Sequence, residues 1–209
     1  APPAFARMEG TILVLNMGDD SNRRAADAGL GGDTSHDIAD YHVDESGVKR
    51  GENFRVVLVV KDDNDFLHVY FNNMPDKELD PSDENGELRR DRLFPASVVT
   101  EIRGYAGEGN DVIEIGEGIH ADLDLRGGMG NDKILVGNAD LPRRVTLRGN
   151  EGDDDIVGSP GDDLIFGDSG NDVIRGGDGN DTIFGGSGID DSSSGNDRIL
   201  GQGGNDLIY

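Results

Sequence analysis

Polar and apolar positions alternate in short phrases along the second half of the chain. An isoleucine falls two places after an aspartate at Ile113, Ile134, Ile156, Ile165, Ile174, Ile183, Ile199 and Ile208. The residue between them varies: Val, Lys, Asp, Leu, Val, Thr, Arg, Leu. Side chains on a strand alternate between its two faces, so the invariant isoleucine points inward and the variable residue outward. A β-branched residue suits that place. Three segments of the first half also read as strands: Thr11–Asn16, Phe54–Val60 and Phe66–Phe71. Residues 19–51 and 72–92 are polar and predicted to be loop-rich, and no stretch shows helical periodicity.

The isoleucines belong to a repeat. From Gly149 to Phe184 the chain reads GNEGDDDIV, GSPGDDLIF, GDSGNDVIR, GGDGNDTIF, four copies of G-x-x-G-x-D-x-I-x without a gap. Earlier copies start at Ala106 (AGEGNDVIE) and Gly127 (GGMGNDKIL), and a last one at Gly201 (GQGGNDLIY). A second echo, TEIRG, LDLRG and TLRG, fills the intervals between the early copies. Two nonapeptides make one coil with a short strand and a turn on each side. One such strand cannot close a core, but stacked coils share an apolar column. The predicted class is all-β: a right-handed parallel β-roll or β-helix solenoid over 98–209, with an irregular β cap over 1–97. After Phe184 the rhythm breaks, and Gly185–Asp197 is expected to form one enlarged turn. The last coil leaves an end that either stacks on another molecule or continues into a parent polypeptide.

Composition makes this stack necessary. Only 34% of the residues are apolar and the net charge is −24, values close to those of disordered chains. Residues 104–209 hold 25 of the 33 glycines and 22 of the 43 acidic residues, but only 7 of the 19 basic ones. Such a surface repels phosphates, so nucleic acid is not an expected partner. No apolar run has the length of a membrane span. Cysteine is absent, so disulfides do not hold the fold. Residues 1–10 lack the charged start and apolar run of an intact signal peptide.

Stacking assigns partners to the aspartates. Residues one coil apart lie above one another, so one edge should pair Asp111 with Asp132, Asp132 with Asp154, Asp154 with Asp172, and Asp172 with Asp190 or Asp197. The other edge should pair Asp163 with Asp181 and Asp181 with Asp206. Carboxylates so close repel unless a cation lies between them. The residue before the aspartate is usually asparagine (Asn110, Asn131, Asn171, Asn180, Asn196, Asn205). Asparagine tolerates left-handed backbone and can bond within its own turn, so it is expected to shape the turn.

These nonapeptides resemble the RTX (repeats-in-toxin) calcium-binding β-roll family, over about residues 104–209. The resemblance implies calcium, a hard cation that takes six to eight oxygens. It implies ligands from Asp111, Asp132, Asp154, Asp163, Asp172, Asp181, Asp190, Asp197 and Asp206, joined by carbonyls such as those of Gly158, Gly167, Gly176 and Gly185, for about six ions. The chain departs from the pattern where Ala106 replaces the first glycine and where Asn150, Ser159 and Asp168 replace the second.

The expected function is a non-enzymatic, secreted or extracellular module, with a place at the cell surface equally compatible. Calcium would fold or stabilise it, and its role would be structural, spacing or adhesive. The alternative is an accessory module of a larger secreted enzyme or toxin. Gly167-Asp168-Ser169-Gly170 looks like a serine-protease segment, but its phase makes it one more repeat. Neither H-E-x-x-H nor G-x-S-x-G occurs. His36, His42, His68 and His120 are scattered. Pro81–Arg92 has the wrong residues at both ends for an EF-hand loop.

Overall fold

The computed structural model describes residues 6–16, 53–61, 64–71, 93–137, 144–188 and 195–209. The regions around His36 and His42, the Pro81–Arg92 segment and Asp190 lie outside these residues. Among the described residues the only helical element is a single 3₁₀ turn, Ala96–Val98; all else is strand or turn.

The strands are β1 (Ala6–Glu9), β2 (Ile12–Asn16), β3 (Asn53–Lys61), β4 (Asn64–Phe71), β5 (Leu93–Pro95), β6 (Glu101–Glu108), β7 (Val112–Ile115), β8 (Asp122–Met129), β9 (Lys133–Val136), β10 (Val145–Glu151), β11 (Asp155–Val157), β12 (Asp163–Ser169), β13 (Val173–Asp178), β14 (Thr182–Phe184), β15 (Arg198–Gly203) and β16 (Leu207–Ile208). They form two sheets, and from β6 onward they alternate between them. One runs β1-β2-β6-β8-β10-β12-β14-β16 and the other β15-β13-β11-β9-β7-β3-β4-β5. Every pairing from β6 to β16 is parallel, so successive strand pairs stack as the coils of a solenoid.

The register follows the repeat. Ile113 lies beside Ile134, Ile134 beside Ile156, and Ile156 beside Ile174; on the other sheet Ile165 lies beside Ile183. All of these are at most 1% exposed. The column weakens at one end. Ile199 is only partly buried and Ile208 is 49% exposed, because no described coil covers their outer side. The strands differ in length: β11 and β14 span 3 residues, whereas β12 spans 7 and β8 spans 8, because neighbouring turns there keep bonding backbone to backbone.

The first-half strands extend the same sheets. β2 joins β6 in parallel and β3 joins β7 in parallel. β1 lies antiparallel on β2, β4 on β3, and β5 on β4. Leu13 and Leu15 continue the buried column from β2. These contacts link residues far apart in sequence: Thr100 donates from its hydroxyl to Thr11 Oγ1 at 2.8 Å. On the outer face, Phe166, Phe184 and Tyr209 stack at 5.0 and 4.9 Å. Arg148 lies 4.1 Å over the Phe166 ring and pairs with Asp168 at 3.1 Å.

Candidate metal centre

The repeat aspartates stand where each turn re-enters a strand. A glycine with positive φ precedes every Asn-Asp or Asp-Asp pair of the repeat except Asp162-Asp163: Gly109, Gly130, Gly152, Gly170, Gly179, Gly195 and Gly204. That backbone bends the aspartate inward. Asp111, Asp132, Asp154, Asp163, Asp172 and Asp181 are between 1 and 3% exposed.

Six of the carboxylates reach the preceding coil. On one edge the Asp111 N–H donates to Asp132 Oδ1 at 2.8 Å, Asp132 to Asp154 at 2.7 Å, Asp154 to Asp172 at 2.8 Å, and Asp172 to Asp197 at 3.0 Å. On the other, Asp163 donates to Asp181 at 3.0 Å and Asp181 to Asp206 at 3.1 Å. The structure thus brings together all six pairs, with Asp197 as the partner of Asp172.

The second oxygen faces inward. Oδ2 of Asp111 is buried and accepts no hydrogen bond, as are those of Asp132, Asp154, Asp172 and Asp181, an arrangement that native proteins rarely tolerate. In the last four this oxygen lies over the glycine five residues earlier, beside a glycine carbonyl of the next coil. A Cβ on Gly127 would sit closer than 3.0 Å to both Asp132 Oδ2 and the Gly149 carbonyl oxygen. The same holds at Gly149 for Asp154 and Gly167, at Gly158 for Asp163 and Gly176, at Gly167 for Asp172 and Gly185, and at Gly176 for Asp181 and Gly201. The first glycine of the motif therefore leaves room for two converging oxygens. The carbonyls of Gly167, Gly176 and Gly185 lie at these places. So do those of Gly149 and Gly201, which were not singled out from sequence. Gly158 contributes the bare α-carbon beneath Asp163.

Burial makes these carboxylates resist ionisation. It pushes Asp132 up to about 8, assisted by the neighbouring Asp111 and Asp154 and opposed by the hydrogen bond from the Asp111 N–H. Burial likewise raises Asp154 to about 7, Asp163 to about 7 and Asp172 to about 6, and raises Asp181. Near neutral pH the buried column therefore favours bound protons or cations. A paired carboxylate and carbonyl set consists of hard oxygens, the donor chemistry of calcium. Among the described residues no three His, Cys, Asp or Glu side chains form a metal-holding group. The fit therefore rests on backbone carbonyls acting with the carboxylates.

The asparagines act differently from expectation. None of Asn110, Asn131, Asn171, Asn180, Asn196 or Asn205 has positive φ; Asn150, Asp168 and Gln202 do, at the second place of the motif. The asparagine oxygens bond the next coil instead. Asn131 N–H donates to Asn110 Oδ1 at 2.9 Å, Asp153 to Asn131 at 3.0 Å, and Asn196 to Asn171 at 3.0 Å. Asp153 and Asp162 take asparagine's place, accepting from Asn171 and Asn180 at 2.7 Å. This outer ladder runs opposite in sense to the aspartate ladder, and together they lock the register of the turns. His120 is exposed, and Ser169 of the protease-like segment donates to the Asn150 carbonyl at 3.2 Å.

No curated protein and no solved structure matches the chain. The sequence profile of the RTX calcium-binding nonapeptide repeat matches it in four copies, over residues 144–165, 157–192 and 191–209. With the parallel solenoid and its stacked aspartate turns, this match identifies residues 144–209 as RTX calcium-binding nonapeptide repeats.

Proposed function

We propose that the chain is an extracellular calcium-dependent β-roll whose fold is completed by ions between stacked turns, and that it acts structurally, as a spacer, stabiliser or adhesive segment, without catalysis. RTX repeats bind calcium, are themselves non-catalytic, and are typical of secreted proteins. The observation carrying the proposal is the set of buried, unpartnered Oδ2 atoms that face glycine carbonyls from the adjoining coil. Calcium supplies positive charge and a demand for many oxygens. The aspartates supply charge, the glycines supply carbonyls and clearance, and the two hydrogen-bond ladders hold the turns in place.

Where calcium is scarce, the ionised column opposes stacking. Where calcium is abundant, binding stabilises only the stacked state. Extracellular modules bind with affinities of about 10⁻⁴–10⁻³ M, so the transition is expected near millimolar calcium. Far-UV circular dichroism during calcium titration of the chelated chain tests this, with magnesium as control. Gain of β signal with calcium alone is expected. A spectrum indifferent to calcium would remove the folding role.

A further inference from the structure

Two of the six stacked turns differ from the rest. In the turn Gly158–Asp163, both carboxylate oxygens of Asp163 already have donors. The Ser159 N–H donates to Oδ2 at 2.6 Å and the Ser159 hydroxyl donates to Oδ1 at 2.8 Å. The same hydroxyl accepts from the Gly161 N–H at 3.1 Å. Asp163 accordingly lacks the buried oxygen without a hydrogen bond found at Asp111, Asp132, Asp154, Asp172 and Asp181.

The sequence explains the difference. At this second place of the motif Gly107, Gly128, Asn150, Asp168, Gly177 and Gln202 all have positive φ, whereas Ser159 does not. Proline follows Ser159, and a residue before proline is pushed to extended backbone. The extended form directs the Ser159 N–H at its own aspartate. Where φ is positive, as at Gly177 in the next coil of the same edge, no such bond forms to Asp181 Oδ2.

The other exception is Ala106. Tyr105 pairs with Arg126 and Gly107 with Gly128, so Ala106 occupies the register of Gly127. A Cβ at Gly127 would fall between its aspartate oxygen and the next carbonyl. Ala106 carries that Cβ and is fully buried. By register its methyl takes the place that the bare α-carbon leaves open at Gly127, although Asp111 Oδ2 is buried and accepts no hydrogen bond.

We infer that Ser159–Pro160 and Ala106 close two turns to calcium, so that the chain takes four ions, beginning at Asp132, Asp154, Asp172 and Asp181, and stands without an ion at Asp111 and Asp163. This rests on the calcium reading above and narrows it. The Ser159 donors replace the cation, and the Ala106 methyl replaces the space for it. One closed turn lies at the first coil of its edge and the other at the start of the second edge. Each edge therefore begins with a turn closed to the ion, on which calcium-filled turns can stack.

The test counts bound calcium by equilibrium dialysis of the full chain at saturating calcium, with excess magnesium to occupy surface carboxylates. Four ions are expected. Ser159→Gly with Pro160→Ala, which recreates the Gly176–Gly177 arrangement, should bind five, and adding Ala106→Gly should give six. Asp163→Asn should still bind four, whereas Asp154→Asn should lose at least one. Circular dichroism in calcium establishes that each variant is folded; the wild-type count and the isosteric Asp163→Asn decide the matter if the loop variants are not. Any other wild-type count, or an ion lost with Asp163→Asn, overturns the inference. A count above four would leave the calcium reading standing, and no saturable binding would overturn both.

Discussion

Replacing Gly167 by alanine puts a methyl group between Asp172 Oδ2 and the Gly185 carbonyl oxygen, closer than 3.0 Å to each. The backbone at Gly167 is not left-handed, so the effect is one of space alone. In an open position the same exchange stabilises by about 0.4–1 kcal/mol through the unfolded chain. Here it should remove one ion. At about 10 mM calcium, an affinity of about 10⁻⁴–10⁻³ M makes one ion worth roughly 1.4–2.7 kcal/mol of stability. For a chain of this size each kcal/mol moves the melting temperature by about 2–4 °C. The increase in Tm on adding calcium should therefore be smaller in the variant by about 3–10 °C. The assay is thermal unfolding by circular dichroism, in chelator and in calcium. Gly188→Ala is the control, since a Cβ there meets nothing within 4 Å. Comparing increments rather than absolute Tm values separates the lost ion from the clash itself. An unchanged calcium increment in Gly167→Ala would refute the placement of the ion over this glycine.

The remaining predictions concern protons, sharing and the core. Burial raises the folded-state values of Asp132, Asp154, Asp163 and Asp172 to about 8, 7, 7 and 6 from 3.8, so the calcium-free fold binds more protons than the unfolded chain. The stability these four groups contribute is fully present below about pH 4 and is lost as pH rises through 6 to 8. In chelator, Tm should be higher at pH 5 than at pH 8, while calcium binding at pH 7 should release protons, read as a buffer-dependent heat in calorimetry. Asp172 accepts from Asp154 N–H through one oxygen and faces Gly185 with the other, so Asp172→Ala should weaken two adjacent sites; loss at a single site would refute sharing. Ile156→Ala, in a fully buried position between Ile134 and Ile174, should cost about 2–5 kcal/mol by chemical denaturation. A cost near zero would mean that the column does not carry the stack.

The parts of this fold that were legible in the sequence are those fixed by a short period. The isoleucine column and five of the six aspartate pairs follow from phase alone, because parallel coils place equivalent residues side by side. What phase does not encode was harder to read. The enlarged turn offered both Asp190 and Asp197, and only the stacking of Asp172 on Asp197 distinguishes them. The partners of β2 and β3 lie 89 and 59 residues downstream at Thr11–Thr100 and Asn53–Val112, beyond any local pattern. Asparagine's local tendency to bond its own turn gave way to a bond with the neighbouring coil, since stacking presents an unpaired N–H directly above it. The Ser159–Pro160 dipeptide was visible as a departure from the motif. Its consequence needed the direction of one N–H, which follows from the proline rule but not from the repeat.

The central claim is that calcium lies between stacked turns, held by aspartate Oδ2 atoms and glycine carbonyls. It is tested most directly by the crystal structure of the chain grown with calcium and soaked in terbium, which marks the ions by anomalous scattering. The account predicts peaks beside Gly127, Gly149, Gly167 and Gly176, each bonded to aspartate and carbonyl oxygens of adjoining coils. Folded, stacked turns with no peak at these glycines, and metal only on the outer surface, would contradict it.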